Sequence, residues 1–119
     1  MLEKKITEAQ LHQQCVLWLH NELPHLRGLW WHTPNGEFRD KKTAAKLAGM
    51  GVLPGVPDFI FINKGTIFCV ELKNEKGRLT EAQKQLHLLW DEYGIEIYIV
   101  RSLSEFKRIV GEKYKLTIS

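Results

Sequence analysis

The sequence predicts an α/β fold in which a central mixed sheet is flanked by helices, in the order α-β-β-β-α-β-α. Two segments with capping-box spacing each precede apolar residues at helical intervals, and short stretches rich in β-branched and aromatic residues lie between them. The chain has 119 residues, of which 44% are apolar and 26% are charged. This size and composition suit one domain with its own core, spanning residues 1–119.

The first helix is expected to begin after Thr7, because Thr7 and Gln10 have the spacing of a capping box. Apolar residues then recur on one helical face, and they are Leu11, Cys15, Trp18 and Leu19. Pro24 should end this helix, since the residue before a proline avoids helical backbone angles.

Three strands and a short helix are expected in the middle of the chain. A strand rich in aromatic residues covers 29–33, where Trp30 and Trp31 must point to opposite faces of the sheet. The other elements of this region are a short helix and two strands, over residues 41–48, 58–62 and 66–73. Both faces of the two longer strands are apolar, which is typical of a sheet that is covered on both sides.

A second capping box, formed by Thr80 and Gln83, predicts a helix that ends at Gly94. The residues that this helix is expected to bury are Leu86, Leu89, Trp90 and Tyr93. An alternating strand over 95–100 and a last helix that begins after Ser102 complete the domain.

The sequence argues against a membrane protein and a secreted disulfide-rich module. The longest apolar run considered, residues 59–62, is far shorter than a membrane span, so no membrane partner is expected. No apolar signal segment is expected before the first helix, because residues 1–6 lead directly into a polar helical pattern. Cys15 and Cys69 lie among apolar residues and are interpreted as reduced core residues of a cytosolic protein.

The charge balance is mildly basic, with 17 basic and 14 acidic residues and a net charge of +3. This gives weak support for a nucleic-acid partner. Two short windows, 39–46 and 73–78, concentrate basic residues, and a solvated surface is the alternative interpretation of each. The histidines lack zinc-site spacing, and His12 and His20 are interpreted as ordinary helix-surface residues.

Acidic residues on two neighbouring strands form the candidate chemical site. Glu71 and Lys73 project from the same face of their strand, because side chains alternate between faces. If the turn at 64–65 has two residues, Asp58 stands opposite Glu71 with Cβ atoms roughly 4.5–5.5 Å apart. A three-residue loop would instead put the two carboxylates on opposite faces.

Two facing carboxylates repel each other unless positive charge lies between them. Lys73 supplies one charge, and a divalent cation that prefers oxygen ligands, in the simplest case Mg²⁺, supplies the rest. Such a cation polarises a phosphoryl oxygen, while Lys73 orients water or stabilises charge on the phosphate. A structural ion pair at the end of a strand is the alternative interpretation.

The sequence resembles the VRR-NUC branch of the PD-(D/E)XK nuclease superfamily in three segments: 55–58 (Gly-Val-Pro-Asp), 70–73 (Val-Glu-Leu-Lys) and 77–80 (Gly-Arg-Leu-Thr). The resemblance runs from about Glu8 to Val100, and Gln83 belongs to it, although the Val-Arg-Arg run of the family name is absent. It implies a restriction-endonuclease-like core and a metal-dependent endonuclease.

Small stand-alone members of this branch are typically phage or bacterial homodimers that cut branched DNA, including four-way (Holliday) junctions, with Mg²⁺ or Mn²⁺. The resemblance therefore implies DNA as substrate, a second copy of the chain as partner and no organic cofactor. It also implies a cytoplasmic location, in a bacterial cell or a phage-infected host. A flap- or duplex-cutting nuclease of repair or restriction type, and a non-catalytic DNA-binding module, are the alternatives.

By position, the resemblance assigns catalytic roles to four residues, which are Asp58, Glu71, Lys73 and Gln83. The metal ligands among them, Asp58 and Glu71, are joined by Glu8 of the first helix, for which Glu3 is an alternative. Lys73 would be the catalytic lysine, and Gln83 would orient it or contact the phosphate. Further DNA contacts are expected from polar and basic residues, namely Asn35, Arg39, Lys41, Lys42, Lys46 and Arg78.

Overall fold

The computed structural model describes residues 5–34 and 41–117. Four helices and four strands follow one another as α1 (Glu8–Glu22), β1 (Trp30–His32), α2 (Lys41–Gly49), β2 (Phe59–Asn63), β3 (Thr66–Leu72), α3 (Glu81–Glu92), β4 (Glu96–Val100) and α4 (Leu103–Tyr114). A single 3₁₀ turn, Pro24–Leu26, follows α1. The predicted mixed α/β class is confirmed, and the short helix α2 between the first two strands adds one element to the predicted order α-β-β-β-α-β-α. None of the described helices is both long and apolar enough to cross a membrane.

The sheet has the strand order β1-β2-β3-β4. The first three strands pair antiparallel, and β4 lies parallel to β3 after a connection through α3. Lys64 and Gly65 both have left-handed backbone angles, with φ values of 50° and 82°. Two such residues make the tight turn that joins β2 to β3, and the resulting register pairs Phe59 with Val70. The predicted two-residue turn and its register are therefore confirmed.

Both predicted capping boxes are present. The hydroxyl oxygen of Thr7 accepts a hydrogen bond from the Gln10 backbone N–H at 3.0 Å, and the Gln10 side-chain oxygen accepts one from the Thr7 N–H at 2.8 Å. Thr80 and Gln83 repeat the arrangement at the start of α3. These reciprocal bonds satisfy two of the amides that a helix start leaves without partners, which fixes where α1 and α3 begin.

The core lies on one face of the sheet, under α1 and α4. Its buried apolar residues come from α1, α4 and alternate positions of the strands, and they include Leu11, Cys15, Leu19, Phe59, Phe61, Val70, Leu72, Phe106 and Val110. Cys15 on this face and Cys69 on the other are buried free thiols, as predicted. Burial raises the pKa of each thiol to about 12, so neither is a reactive thiolate at neutral pH.

The opposite face of the sheet is covered only in part. This corrects the expectation that the sheet is covered on both sides and the expectation that α3 buries all of its predicted core residues. Leu89 and Tyr93 of α3 were predicted to be buried, but their side chains are 48% and 79% exposed. Trp31 is 44% exposed on this side, whereas its neighbour Trp30 packs against the core, as the alternation predicted. A groove of about 610 Å³ runs between the sheet and α3, and we call this surface the open face; its apolar lining includes Trp31, Ile60, Ile67, Leu89, Trp90 and Tyr93.

The loop before β2 packs against the beginning of α3. Gly55 in this loop is buried and has a φ of +87°, and a Cβ atom at this position would lie 2.8 Å from the Ala82 carbonyl oxygen. Only glycine suits such a close approach combined with a left-handed backbone. The contact sets the path of the chain as it enters Asp58 and β2.

Candidate metal centre

Three carboxyl groups from separate elements meet at one end of the sheet. Glu8 comes from the first turn of α1, Asp58 immediately precedes β2, and Glu71 lies near the end of β3. One carboxylate oxygen from each lies within 4.8 Å of those from the other two. Since the hairpin register continues outward from Phe59 and Val70, Asp58 and Glu71 stand across from each other, as the turn predicted.

Asp58 is held in place by backbone contacts although it lies just outside β2. Its side-chain oxygen Oδ2 accepts a hydrogen bond from the Leu72 backbone N–H at 2.7 Å. Its carbonyl oxygen accepts bonds from the Thr33 backbone N–H at 3.2 Å and from the His32 ring nitrogen Nδ1 at 2.7 Å. The Leu72 bond fixes the orientation of the Asp58 carboxylate, and the bonds from His32 and Thr33 hold the Asp58 backbone beside the end of β1.

Glu71 is the most deeply buried member of the centre, with 1% of its surface exposed. Its oxygen Oε1 has no hydrogen-bond partner among the described residues, and the nearest histidine nitrogen, His87 Nε2, is 3.9 Å away. Burial, together with the neighbouring Asp58 carboxyl group, raises the pKa of Glu71 to about 9. A buried carboxyl oxygen without a donor is an atom that a bound cation would satisfy.

Lys73 is also buried, with 7% exposure, and its backbone N–H donates to the Val100 carbonyl oxygen at 3.0 Å. Burial raises the pKa of Glu8, and the positive charge of Lys73 opposes that shift, as it also does at Glu71. Within the described part of the centre, three carboxyl groups thus surround one ammonium group. Full ionisation would leave two uncompensated negative charges, which one divalent cation would neutralise. The oxygen atoms of the three carboxyl groups are suitable ligands for such a cation.

His87 of α3 closes the centre on the open-face side but supplies little positive charge. Its side chain is 13% exposed, and the buried nitrogen Nε2 has no hydrogen-bond partner in the described ranges. Burial, followed by the charge of Lys73, lowers the pKa of His87 and favours the neutral imidazole. His87 therefore does not supply the positive charge that would balance an ionised Glu71.

The segment after β3 carries two further predicted site residues. Arg101 braces this segment, because its Nη1 donates to the carbonyl oxygens of Asn74 at 2.8 Å and Gly77 at 2.7 Å. Arg78 follows directly and is exposed. Gln83 uses its side-chain oxygen to accept the Thr80 N–H at 2.9 Å. Its amide nitrogen can donate to a ligand oxygen, whereas a contact with the Lys73 ammonium group would use the second lone pair of the side-chain oxygen.

The predicted DNA-contact residues other than Arg78 divide into two groups. Lys41, Lys42 and Lys46 are exposed on α2, a helix that buries none of its residues. Asn35 and Arg39, like the alternative ligand Glu3, lie outside the described residues. All three predicted lysines are thus exposed to solvent, and their contact with DNA stays a prediction.

The sequence interpretation missed the histidines near the centre. His12 was taken for a surface residue, but it is half-buried and stacks on Phe59 with ring centroids 4.7 Å apart. Its ring also lies 4.3 Å from that of His32 on β1. One signal was available, because Glu8 and His12 are four residues apart and therefore share a helix face.

The free energy of unfolding of the metal-free protein should fall as pH rises from about 5 toward 9. The folded-state pKa of Glu71, about 9, lies above its ordinary value of 4.5, so the unfolded chain binds fewer protons in this window. Glu71→Gln removes this titration and should stabilise the protein by about 1–3 kcal/mol at pH 8. Urea unfolding in EDTA across this pH range measures the difference.

The matched control is Glu92→Gln, which changes an exposed carboxylate at the end of α3. Its unfolding free energy should follow that of the wild type at every pH, while the gain from Glu71→Gln grows with pH. Parallel curves for all three proteins would contradict a buried, raised-pKa carboxyl group at position 71.

Comparison with solved structures identifies a protein with the same fold. A structure described as a VRR_NUC domain protein superposes with a TM-score of 0.77 at 23% sequence identity, covering 96% of this chain and 93% of that chain. Comparison with protein-family models gave no match, and no curated protein matches the sequence. At this identity the likeness concerns the fold alone, and at that level it confirms the resemblance seen in the sequence: the chain has the fold of a VRR_NUC domain.

Proposed function

We propose that this chain is a metal-dependent, structure-selective endodeoxyribonuclease that hydrolyses phosphodiesters in branched DNA, with the four-way junction as its substrate. The observation that carries the proposal is the meeting of Glu8, Asp58 and Glu71 beside the buried Lys73, with one Glu71 oxygen left without a hydrogen-bond partner in the described residues. The nuclease-like fold supports the reaction class. The preference for branched DNA rests on the family resemblance.

Glu8, Asp58 and Glu71 would hold the cation. Their all-oxygen donor set suits Mg²⁺, with Mn²⁺ as a substitute. A cation bound there supplies Lewis-acid stabilisation of the negative charge that develops on the phosphate during hydrolysis. Asp58 is preorganised for this task because the Leu72 N–H already fixes one of its carboxylate oxygens.

Lys73 would act on the phosphate and on the attacking water. Lys73 is buried, and a positive charge in the protein interior interacts more strongly with its neighbours than it does at the surface. It would donate hydrogen bonds to a phosphate oxygen and orient the water for attack in line with the leaving oxygen. Gln83, at the start of α3, would donate a hydrogen bond from its amide nitrogen to a phosphate oxygen, or orient Lys73 through its side-chain oxygen.

Substitution of Lys73 should strongly reduce cleavage while the protein remains folded. Lys73→Met keeps most of the buried side-chain volume, and we expect cleavage of a labelled four-way junction in Mg²⁺ to fall by about 100-fold or more. Lys64→Asn is the matched control, because it removes a lysine at the opposite end of the same hairpin and Asn tolerates its left-handed backbone.

Parallel assays on flap and linear duplex, in Mg²⁺, Mn²⁺ or EDTA, separate the alternatives. Cleavage of flap or duplex in preference to the junction would retain the chemistry and overturn the proposed substrate. DNA binding without cleavage in either cation would overturn the enzymatic proposal in favour of a non-catalytic binding module. Cleavage by Lys73→Met at the wild-type rate would remove Lys73 from the mechanism.

The lysines of α2 should bind the DNA backbone. Lys41→Ala combined with Lys42→Ala is expected to weaken junction binding and to reduce the slope of log K against log salt concentration by about two, since each lost phosphate contact contributes about one. Fluorescence anisotropy in EDTA across a salt series measures this slope without cleavage.

A charge-matched double variant controls for net charge. Lys64 and Lys115 both have left-handed backbones, and the bond from the Asn63 side chain to the Lys113 carbonyl oxygen brings the hairpin turn close to the end of α4. Lys64→Asn with Lys115→Asn should leave the slope nearly unchanged. Equal slopes for both double variants would show that α2 makes no specific phosphate contacts.

The homodimer is proposed to form through the open face. A two-fold interface uses the same patch on both copies, so the patch must offer both projecting side chains and a recess. Leu89 and Tyr93 project from α3, and they border the apolar groove that also contains Trp31. An exposed apolar surface of this kind is typical of a protein interface.

An acidic residue in the open face should therefore dissociate the dimer. Leu89→Asp buries a charge at the proposed interface and is expected to convert a dimer into a monomer at micromolar concentration, as measured by sedimentation equilibrium. Leu17→Asp, at an exposed leucine of α1, is the control and should remain dimeric. A monomeric wild type, or a dimeric Leu89→Asp, would contradict this interface.

A further inference from the structure

A second group of possible ligands lies beside the carboxylate centre and includes Asp58 as well. One ring nitrogen of His12, one ring nitrogen of His32 and one carboxylate oxygen of Asp58 lie within 4.8 Å of one another. His12 follows Glu8 by one helical turn on α1, so the two side chains share a helix face. Asp58 belongs to both groups and lies where they adjoin.

The two imidazole rings are held by their surroundings. The His12 ring stacks on the buried Phe59 ring at 4.7 Å, with 29° between the planes. The His32 ring meets His12 edge-on, with centroids 4.3 Å apart and 83° between the planes. The helix α1 and the strand β1 thus bring both rings to Asp58, which comes later in the chain.

A hydrogen bond determines the tautomer of His32. Its Nδ1 lies 2.7 Å from the Asp58 carbonyl oxygen, which can only accept, so Nδ1 carries the hydrogen. In the neutral ring, Nε2 then carries the lone pair. Histidines that bind metals almost always donate their other ring N–H to a carbonyl or carboxylate in this way.

We propose that His12, His32 and Asp58 form a second cation site, which binds a first-row transition-metal dication of the Zn²⁺ class. Two imidazole nitrogens and one carboxylate suit Zn²⁺ and its neighbours, whereas Mg²⁺ prefers the all-oxygen centre of Glu8, Asp58 and Glu71. The site shares Asp58 with that centre but does not require the chain to be a nuclease.

Binding needs only small side-chain movements. Ligands of one tetrahedral Zn²⁺ stand about 3.4 Å apart, given zinc–nitrogen and zinc–oxygen distances of about 2.0–2.2 Å. The three atoms, which now lie within 4.8 Å of one another, therefore need to approach by up to about 1.4 Å. His32 is exposed at the sheet edge, so its ring can make most of this movement by turning about its Nδ1 hydrogen bond to Asp58, while the stacked His12 ring stays in place.

Zn²⁺ titration of the full chain after metal removal tests the site, with isothermal calorimetry for affinity and stoichiometry. His12→Ala and His32→Ala should each weaken Zn²⁺ binding by about 100-fold or more, since even the loss of a group that only orients a metal ligand costs 10–100-fold. His32→Ala changes an exposed side chain, so it tests the site even if His12→Ala fails to fold.

Co²⁺ provides a second readout, because its visible absorption reports the ligands and the geometry of the bound ion. The absorption of the wild type should change in His32→Ala. His20→Ala and His25→Ala are the controls, since both histidines are exposed, one on α1 and the other in the 3₁₀ turn. Both controls should keep wild-type Zn²⁺ affinity and Co²⁺ spectra.

Glu71→Gln separates the two centres. It impairs the all-oxygen centre and should retain Zn²⁺ binding through the histidines. Absence of Zn²⁺ binding to the wild type, or Zn²⁺ binding that Glu71→Gln abolishes and the His12 and His32 variants leave intact, would overturn the inference. Histidine-dependent Zn²⁺ binding in a protein that cuts no DNA would support the inference and overturn the proposed nuclease function alone.

Discussion

The turn at Lys64 and Gly65 determines which side chains of β2 and β3 stand across from each other, and the candidate centre depends on that choice. Because both residues adopt left-handed angles, the turn has two residues and the register brings Asp58 opposite Glu71. A slip of one residue would move one carboxylate to the opposite face of the sheet. The backbone bond from Leu72 to the Asp58 carboxylate then locks the same register at the far end of the hairpin.

Glu71 introduces a local cost that the fold tolerates. A buried carboxyl group with an unbonded oxygen, its pKa raised by burial and by Asp58, is destabilising once it ionises. Structural stability alone would be better served by an apolar residue at this position in a strand that is otherwise apolar. A perturbed carboxyl group retained beside a buried lysine is the arrangement that proteins use at functional sites, and a bound cation would relieve the cost.

Local signals allowed much of this architecture to be predicted from the sequence. The capping boxes at Thr7 and Thr80 act over four residues, and the hairpin register follows from the length of one turn, so both were within reach. The approach of His12 to His32 could not be predicted from the sequence, because it depends on how α1 crosses the sheet. The exposure of Tyr93 was missed for a related reason: periodicity identifies an apolar helix face, but it does not tell whether this chain or another covers that face.

The open face and the candidate metal centre are physically linked through α3. His87 of this helix lies against Glu71 and keeps it from solvent, while Leu89, Trp90 and Tyr93, within the next two turns, border the open groove. A partner seated in the groove would contact the same helix that closes the centre. Because Gly55 packs on the first turn of α3, the loop that leads into Asp58 depends on the position of this helix as well. Association on the open face would therefore restrain both carboxylates of the hairpin, although neither of them belongs to the groove.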